Sequence, residues 1–137
     1  MEIPVIDRSN YLKGLLITAR KDNELSESEK KIIRSIAERL GFASDFYEDT
    51  LKTLLANKYI QEDPIKFSHQ KIAESFVTDG LKLAFSDNSD TNFEIDWLKR
   101  TAGANELNEE WFNKKLSECR SSSNPLVLKD LALLSII

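Results

Sequence analysis

The feature that most constrains this chain is an internal repeat with an offset of 65 residues. Residues 11–52, moved forward by 65 positions, align without a gap over residues 76–117. A match at one fixed offset indicates that each copy is one supersecondary unit. The sequence therefore predicts two similar folded units that follow one another along the chain. The identical pairs in the acidic part of the repeat are Ala19 with Ala84, Asp22 with Asp87, Asn23 with Asn88, and Glu29 with Glu94.

Each copy has the pattern of a helix, an acidic turn, a second helix, a short break and a third helix, because apolar residues recur at helical spacing. Repeat 1 spans about residues 11–57 and repeat 2 about 68–120. Gly41 is placed to end a helix, while Ser68 and Asn108 are placed to cap helices. Strand signals are nearly absent. We therefore predict an all-α fold of about seven helices, in which the two pseudo-repeats pack as one domain.

A strongly apolar segment, about residues 125–136, follows the second copy and is predicted to form the seventh helix. Asn124 and Pro125 have the form of a helix start. A helix that is apolar nearly all round is buried on more than one side. It either closes the core between the repeats or offers a second face to a protein partner or a second copy of the chain. The segment is too short to span a bilayer, which needs roughly 17–25 residues.

Composition narrows the functional class. The 137 residues include 41% hydrophobic residues, enough for one sizeable core, and the net charge is −4. No dense stripe of Lys and Arg is present, so we expect no nucleic-acid partner. The single cysteine, Cys119, cannot form an internal disulfide. Since the first residues also lack a signal-peptide pattern, we expect a cytoplasmic protein without a membrane span.

Acidic residues cluster at the two repeated turns, and two interpretations of them stay open. Carboxylate oxygens gathered at a turn suit a divalent cation such as Ca²⁺ or Mg²⁺. The spacing is not that of an EF-hand, because the repeated Glu follows the repeated Asp by only seven residues. Alternatively, each Asp starts a turn and each Glu completes a capping box with Ser26 or Thr91. The candidate metal ligands are Asp22, Glu24, Glu29, Asp87, Asp90 and Glu94.

The repeated pattern Ala-x-x-Asp-Asn-x-x-(Ser/Thr)-x-x-Glu, at residues 19–29 and 84–94, resembles the signature of the TerB-like family of tellurite-resistance and stress-response proteins. That signature is an Ala-x-x-Asp-Gly turn with a Glu seven residues after the Asp. Both copies here carry Asn in place of the Gly, and Asn is the non-Gly residue best suited to positive φ. The resemblance implies an all-helical pseudo-repeat and a role in metal-linked stress responses.

No constellation in the sequence indicates catalysis. The single histidine, His69, excludes a two-histidine zinc site within one chain, and the four glycines do not form a phosphate-binding loop. We therefore expect a non-enzymatic stress-response or interaction module with no catalytic residue, and a divalent cation at the acidic turns as its only candidate cofactor. The alternative is a metal-free protein-interaction scaffold or an oligomerising helical domain.

Overall fold

The computed structural model describes residues 2–19, 27–56, 63–85, 92–121 and 131–136. Within these ranges the chain is helical and contains no strand, which confirms the predicted all-α class. These described ranges contain six α-helices and one short 3-10 helix, close to the predicted number of about seven. The α-helices are α1 (Val5–Ala19), α2 (Glu27–Arg39), α3 (Ser44–Ala56), α4 (Gln70–Ala84), α5 (Asn92–Ala104) and α6 (Glu109–Ser121), and the 3-10 helix is Ala132–Ser135.

The helix boundaries recur at the offset found in the sequence. Helices α4, α5 and α6 begin 65 residues after α1, α2 and α3, respectively. Their lengths also match, at 15, 13 and 13 residues in each half. The repeat thus coincides with repeated secondary structure. Two parts of the interpretation stay predictions. These are that the two halves superimpose in three dimensions and that they form one domain.

Helices α2 and α5 end in the same hydrogen-bond pattern. Gly41, with a φ of 91°, and Glu106, with a φ of 60°, occupy the same position after their helices. The next residues, Phe42 and Leu107, each donate their amide over 3.0 Å to the carbonyl five residues earlier. This is the Schellman arrangement, which satisfies carbonyls at a helix end. The prediction that Gly41 ends a helix is confirmed, and Glu106 performs the same task at positive φ without being glycine.

The core surrounds α4, which contacts α1, α5, α6 and the C-terminal residues. Close approach of α1 to α4 depends on Gly14, because a Cβ atom there would lie 2.4 Å from Cζ of Phe76. The Phe76 ring meets the rings of Tyr11 and Trp97 edge-on, with centroids 5.4 and 6.0 Å apart. All three aromatic side chains are fully buried. They supply large apolar areas at the junction of α1, α4 and α5.

The start of α4 differs from the prediction in its capping residue. His69, and not Ser68, is the N-cap: its Nδ1 accepts the amide of Lys71 over 3.0 Å. Ser68 is occupied elsewhere, since its amide donates to Oδ1 of Asp7 over 3.0 Å and its hydroxyl donates to Oδ2 of the same carboxylate. The prediction that Ser68 caps α4 was therefore wrong, because the Ser68 side chain is directed to Asp7 and His69 supplies the acceptor.

Asn105, directly after α5, fixes the irregular segment before α4. Its Oδ1 accepts the amide of Phe67 over 2.7 Å, and its Nδ2 donates to the carbonyl of Ile65 over 2.7 Å. The Asn105 side chain is buried, and these bonds satisfy backbone groups that would otherwise be buried without partners. The segment that joins the two halves is thereby held at both Asp7 and Asn105.

Part of the predicted seventh helix has a different conformation. Residues 122–130 lie outside the described residues, and residues 131–136, here called the C-terminal segment, are described. Leu131 is extended, with φ −71° and ψ 131°, and Ala132–Ser135 form one turn of 3-10 helix. An α-helix through this segment was predicted wrongly, because the amides of Ala132 and Leu133 donate to the side chain of Asp79 instead of to preceding carbonyls. Leu131 and Leu133 nonetheless join the core.

Candidate functional site

The structure describes two of the six predicted metal ligands. Glu29 lies in the first turn of α2, and Glu94 lies in the first turn of α5 with a buried side chain. Among the residues that the structure describes, no group of three or more His, Cys, Asp and Glu side chains is arranged to hold a metal ion. The remaining predicted ligands lie outside those residues, and these are Asp22, Glu24, Asp87 and Asp90.

The position of Glu94 agrees with the capping interpretation. It is the third residue of α5, and only 1% of its surface is exposed. A carboxylate in the first turn interacts favourably with the positive end of the helix dipole. The Thr91 side chain, with which a capping box would be completed, lies outside the described residues. The same is true of Asp87 and Asp90, the partners that the cation interpretation requires, so both interpretations stay predictions.

A buried polar cluster that the sequence analysis did not single out lies at the centre of the fold. Asp79, in the middle of α4, has no exposed surface. Its Oδ2 accepts the hydroxyl of Tyr11 over 2.5 Å, and the Tyr11 oxygen lies 2.9 Å from Oγ of Ser75. Both carboxylate oxygens also accept backbone amides of the C-terminal segment: Oδ1 accepts Ala132 over 2.6 Å and Oδ2 accepts Leu133 over 3.1 Å. We call these five residues the Asp79 cluster.

Burial governs the electrostatics of the Asp79 cluster. Desolvation raises the pKa of the Asp79 carboxyl above its usual value near 3.8, while hydrogen bonds from Tyr11 and the two amides oppose that rise. Desolvation, followed by the nearby Asp79 charge, raises the pKa of Tyr11 well above 10.0. A carboxylate is an acceptor only, and an amide or an un-ionised phenol donates. The partners therefore suit a charged Asp79 beside a neutral Tyr11.

Asp79 caps the turn that begins the C-terminal segment of its own chain. One carboxylate accepts two consecutive amides at the start of a helical turn, which is the task of an N-cap side chain, here performed by a residue more than 50 positions earlier in the chain. Hydrogen bonds to an ionised acceptor are shorter and stronger than neutral ones. Asp79 thus fixes the start of the C-terminal 3-10 turn, and Leu131 and Leu133 bury their side chains beside it.

The sequence does contain a signal for Asp79. Residues 72, 76, 79 and 83 recur at helical spacing on the buried face of α4, and Asp79 is the polar member of that series. A charged residue among core positions is rarely buried without a partner. The partners themselves could not be inferred, because Tyr11 and Leu133 lie 68 and 54 residues away in the sequence.

The environments of the single histidine and the single cysteine do not favour reactive chemistry. His69 is exposed and its Nδ1 accepts the Lys71 amide. Cys119 is a buried free cysteine, and desolvation raises the pKa of its thiol. Since the thiolate is the nucleophilic form, a raised pKa lowers the reactivity of this residue at neutral pH.

Comparisons of the chain with protein-family models, with curated proteins and with solved structures find no match. The resemblance to the TerB-like family therefore rests on the repeated motif alone. None of the described helices is both long enough and apolar enough to cross a membrane.

Proposed function

We propose that this chain is a non-enzymatic interaction module of the cytoplasm, of the TerB-like kind, that acts in a stress response. The observation that carries the proposal is the exposed apolar pair Val5 and Ile6 at the start of α1. Exposed apolar residues that lie together mark surfaces where another molecule docks. The polar contacts of Asp79, Asp7 and Asn105 hold the chain's own backbone, so they support a rigid scaffold for that surface.

The two halves differ in how apolar their exposed residues are at the start of the first helix, and this difference supports contact with another protein. Val5 and Ile6, at the start of α1, are 71% and 65% exposed. The equivalent residues at the start of α4 are Gln70 and Lys71, which are exposed and polar as expected for positions in water. Apolar residues at such positions are favoured where a second molecule covers them.

Site-specific photocrosslinking in the native host tests the interaction function. A photoreactive amino acid is placed at Ile6, and the matched control carries it at Lys71, the equivalent exposed position of the second half. We expect a discrete protein adduct from position 6 and none from position 71. Absence of an adduct at position 6, or the same adducts from both positions, would contradict the proposed interaction.

The proposal includes a divalent cation at the acidic turns, supported by the repeated acidic pattern and by the TerB-like resemblance. Binding of an ion to the native state alone raises the free energy of unfolding, by about 2.7 kcal/mol at one hundred times the dissociation constant. Thermal melts with millimolar Ca²⁺, Mg²⁺, Mn²⁺ or Zn²⁺ measure this rise. The control is the double variant Asp22→Asn, Asp87→Asn, which keeps turn-forming side chains and should lose the shift.

A melting temperature unchanged by all four cations would remove the cation from the proposal. The metal-free interaction scaffold would then be the function that we propose, since the exposed residues at the start of α1 do not depend on an ion.

A further inference from the structure

The exposed start of α1 lies beside the end of α2. Val5 precedes Arg8 by one helical turn, so the two side chains occupy neighbouring positions on α1. Arg8 reaches the end of α2, because a Cβ atom at Gly41 would lie 3.7 Å from its Nη1 atom. The second half repeats this contact: Gln70, the equivalent of Val5, donates to the carbonyl of Glu106 over 3.5 Å. Since Glu106 is the equivalent of Gly41, Val5 lies close to the residues that link α2 to α3.

Two stacked phenylalanines extend the apolar surface from this point. Phe42 follows Gly41 directly, and its ring stacks on that of Phe46, with centroids 4.9 Å apart and planes at 21°. Phe42 is half-buried, whereas Phe46, in the first turn of α3, is 46% exposed. With the exposed side chains of Val5 and Ile6 these rings form an apolar surface, and such surfaces mark docking sites. We call the four residues Val5, Ile6, Phe42 and Phe46 the α1–α3 face.

Two carboxylates border the α1–α3 face. Asp45 and Asp49 are exposed, and they lie one residue before and three residues after Phe46 in α3. Within the part of the chain that the structure describes, neither forms a salt bridge, whereas Glu48 lies 3.9 Å from the guanidinium of Arg34. Like charges four residues apart in a helix repel each other and destabilise it. The helix dipole favours Asp45 in the first turn, but Asp49 lies beyond that turn.

The second half has different chemistry at the equivalent positions. Asp45 and Asp49 correspond to Glu110 and Lys114, an acid four residues before a base, which is the favourable order in a helix. The residues equivalent to Val5 and Ile6 are polar. Because the helices of the two halves have the same lengths and spacing, this helical pattern does not require apolar and acidic residues at these positions. The α1–α3 face therefore differs from its counterpart for a reason other than the helical pattern.

We propose that the α1–α3 face is the docking site for an apolar and basic segment of a partner protein, with Lys or Arg side chains beside Asp45 and Asp49. The inference rests on the proposed interaction function and names its surface and the chemistry of the partner. A cation beside the two carboxylates relieves their repulsion, so charge complementarity selects a basic segment over a neutral or acidic one. A second copy of this chain fits less well, because two copies of the same face would place carboxylates against carboxylates.

Photocrosslinking followed by mass spectrometry of the adduct tests both the surface and its occupant. In the native host, a photoreactive amino acid is placed at Phe46 in one chain and at Ile6 in another. The matched control carries it at Phe93, which is 42% exposed at the start of α5. We expect positions 6 and 46 to trap the same partner segment and position 93 to trap none. The trapped segment should contain apolar residues and more Lys and Arg than Asp and Glu.

Removal of the two carboxylates tests their role in binding. Asp45→Asn together with Asp49→Asn should lower the yield of the adduct at position 6 by about fivefold, because two exposed charge pairs with the partner are lost. The control variant, Glu109→Gln with Glu110→Gln, removes two carboxylates from the first turn of α6 and should leave that yield unchanged.

A single variant separates lost binding from lost folding. Asp49→Asn should also lower the yield of the adduct at position 6. It should not lower the melting temperature, because it relieves the repulsion from Asp45.

Three results would overturn the docking site. These are different partners at positions 6 and 46, a trapped segment that is neutral or acidic, and an adduct yield that the double Asn variant leaves unchanged. A trapped segment from this same chain would place a second copy on the face and would overturn the site as well. In each case, an adduct at position 6 with none at position 71 keeps the proposed interaction function. Absence of any adduct at position 6 contradicts that function itself.

Discussion

The hydroxyl of Tyr11 lies 2.5 Å from Oδ2 of Asp79, although 68 residues separate the two in the sequence. The bond joins α1 of the first half to α4 of the second half. Because Asp79 also accepts the amides of Ala132 and Leu133, one buried carboxylate connects three distant parts of the chain. Removing any partner leaves a polar group buried without its hydrogen bond, which costs more than the bond itself contributes.

Replacing Tyr11 by Phe should lower the free energy of unfolding by about 1.5–3 kcal/mol, the range for a hydrogen bond to a charged group. The matched control is Tyr47→Phe, which removes a hydroxyl that donates to the neutral carbonyl of Lys30 over 3.1 Å. The free energy of unfolding of that variant should fall by only about 0.5–1.5 kcal/mol. Urea denaturation measures both, and a loss for Tyr11→Phe no larger than for Tyr47→Phe would contradict the role of the cluster.

Stability should fall at alkaline pH because of Tyr11. Its pKa in the folded protein is well above 10.0, whereas an unfolded tyrosine ionises near pH 10. As pH rises past that value the unfolded state loses its proton first, so the free energy of unfolding decreases until Tyr11 ionises in the folded state as well. Tyr47, whose pKa burial also raises, contributes in the same direction.

Urea denaturation at several pH values between 9 and about 11.5 isolates the contribution of Tyr11. The free energy of unfolding should decline less steeply with pH in the Tyr11→Phe variant than in the unchanged chain. The part of the decline that comes from Tyr47 should remain. Parallel curves for the two proteins would show that Tyr11 does not ionise differently on unfolding.

A substitution at Gly14 tests the contact between α1 and α4. A Cβ atom at this position would lie 2.4 Å from Cζ and 2.6 Å from Cε1 of the buried Phe76 ring, so Gly14→Ala forces the ring or the helices to move. Overpacking of this kind typically costs about 1–3 kcal/mol. Gly103→Ala is the control, since nothing lies within 4 Å of a Cβ atom there.

Gly103 lies near the end of α5, where alanine should raise the free energy of unfolding by about 0.4–1 kcal/mol. The expected result is therefore opposite signs for the two glycine substitutions in thermal or urea unfolding. Stabilisation by both substitutions would mean that α1 and α4 are further apart than described.

The equivalent helix ends at Gly41 and Glu106 give a paired prediction. Both residues have positive φ, which is unfavourable for a residue with a side chain by roughly 1–2 kcal/mol. Gly41→Ala should therefore destabilise the protein by about 1 kcal/mol, and Glu106→Gly should stabilise it by a similar amount. Equilibrium unfolding of the two variants shows whether each substitution raises or lowers the free energy of unfolding. Destabilisation by Glu106→Gly would argue against the left-handed conformation at residue 106.

Local sequence signals predicted the helices and several of their ends. Asn108 caps α6 as expected, because its Oδ1 accepts the amide of Glu110 over 2.7 Å. Gly41 ends α2 through its positive φ. These predictions succeeded because the groups involved lie within a few residues of one another, where the chain itself brings them together.

Predictions failed where distant residues compete for the same groups. Ser68 was expected to cap α4, but Asp7 accepts both its amide and its hydroxyl, and His69 takes over the cap. The C-terminal segment was expected to be α-helical, but Asp79 accepts the amides that an α-helix would use. Periodicity and local propensity do not encode such tertiary acceptors. Of the predicted metal ligands, only Glu94 has a described side chain, and its burial could not be inferred from an acidic pattern alone.

Hydrogen exchange at the amides of Ala132 and Leu133 tests most directly whether Asp79 holds the C-terminal segment on α4. In the unchanged chain we expect both amides to be protected, because each donates to the buried carboxylate. In the Asp79→Asn variant they should exchange at least about tenfold faster, relative to the amide of Leu98 in the core of α5, since a charge-assisted bond is lost. Protection that is equal in the two proteins, or that falls only in step with Leu98, would contradict this role.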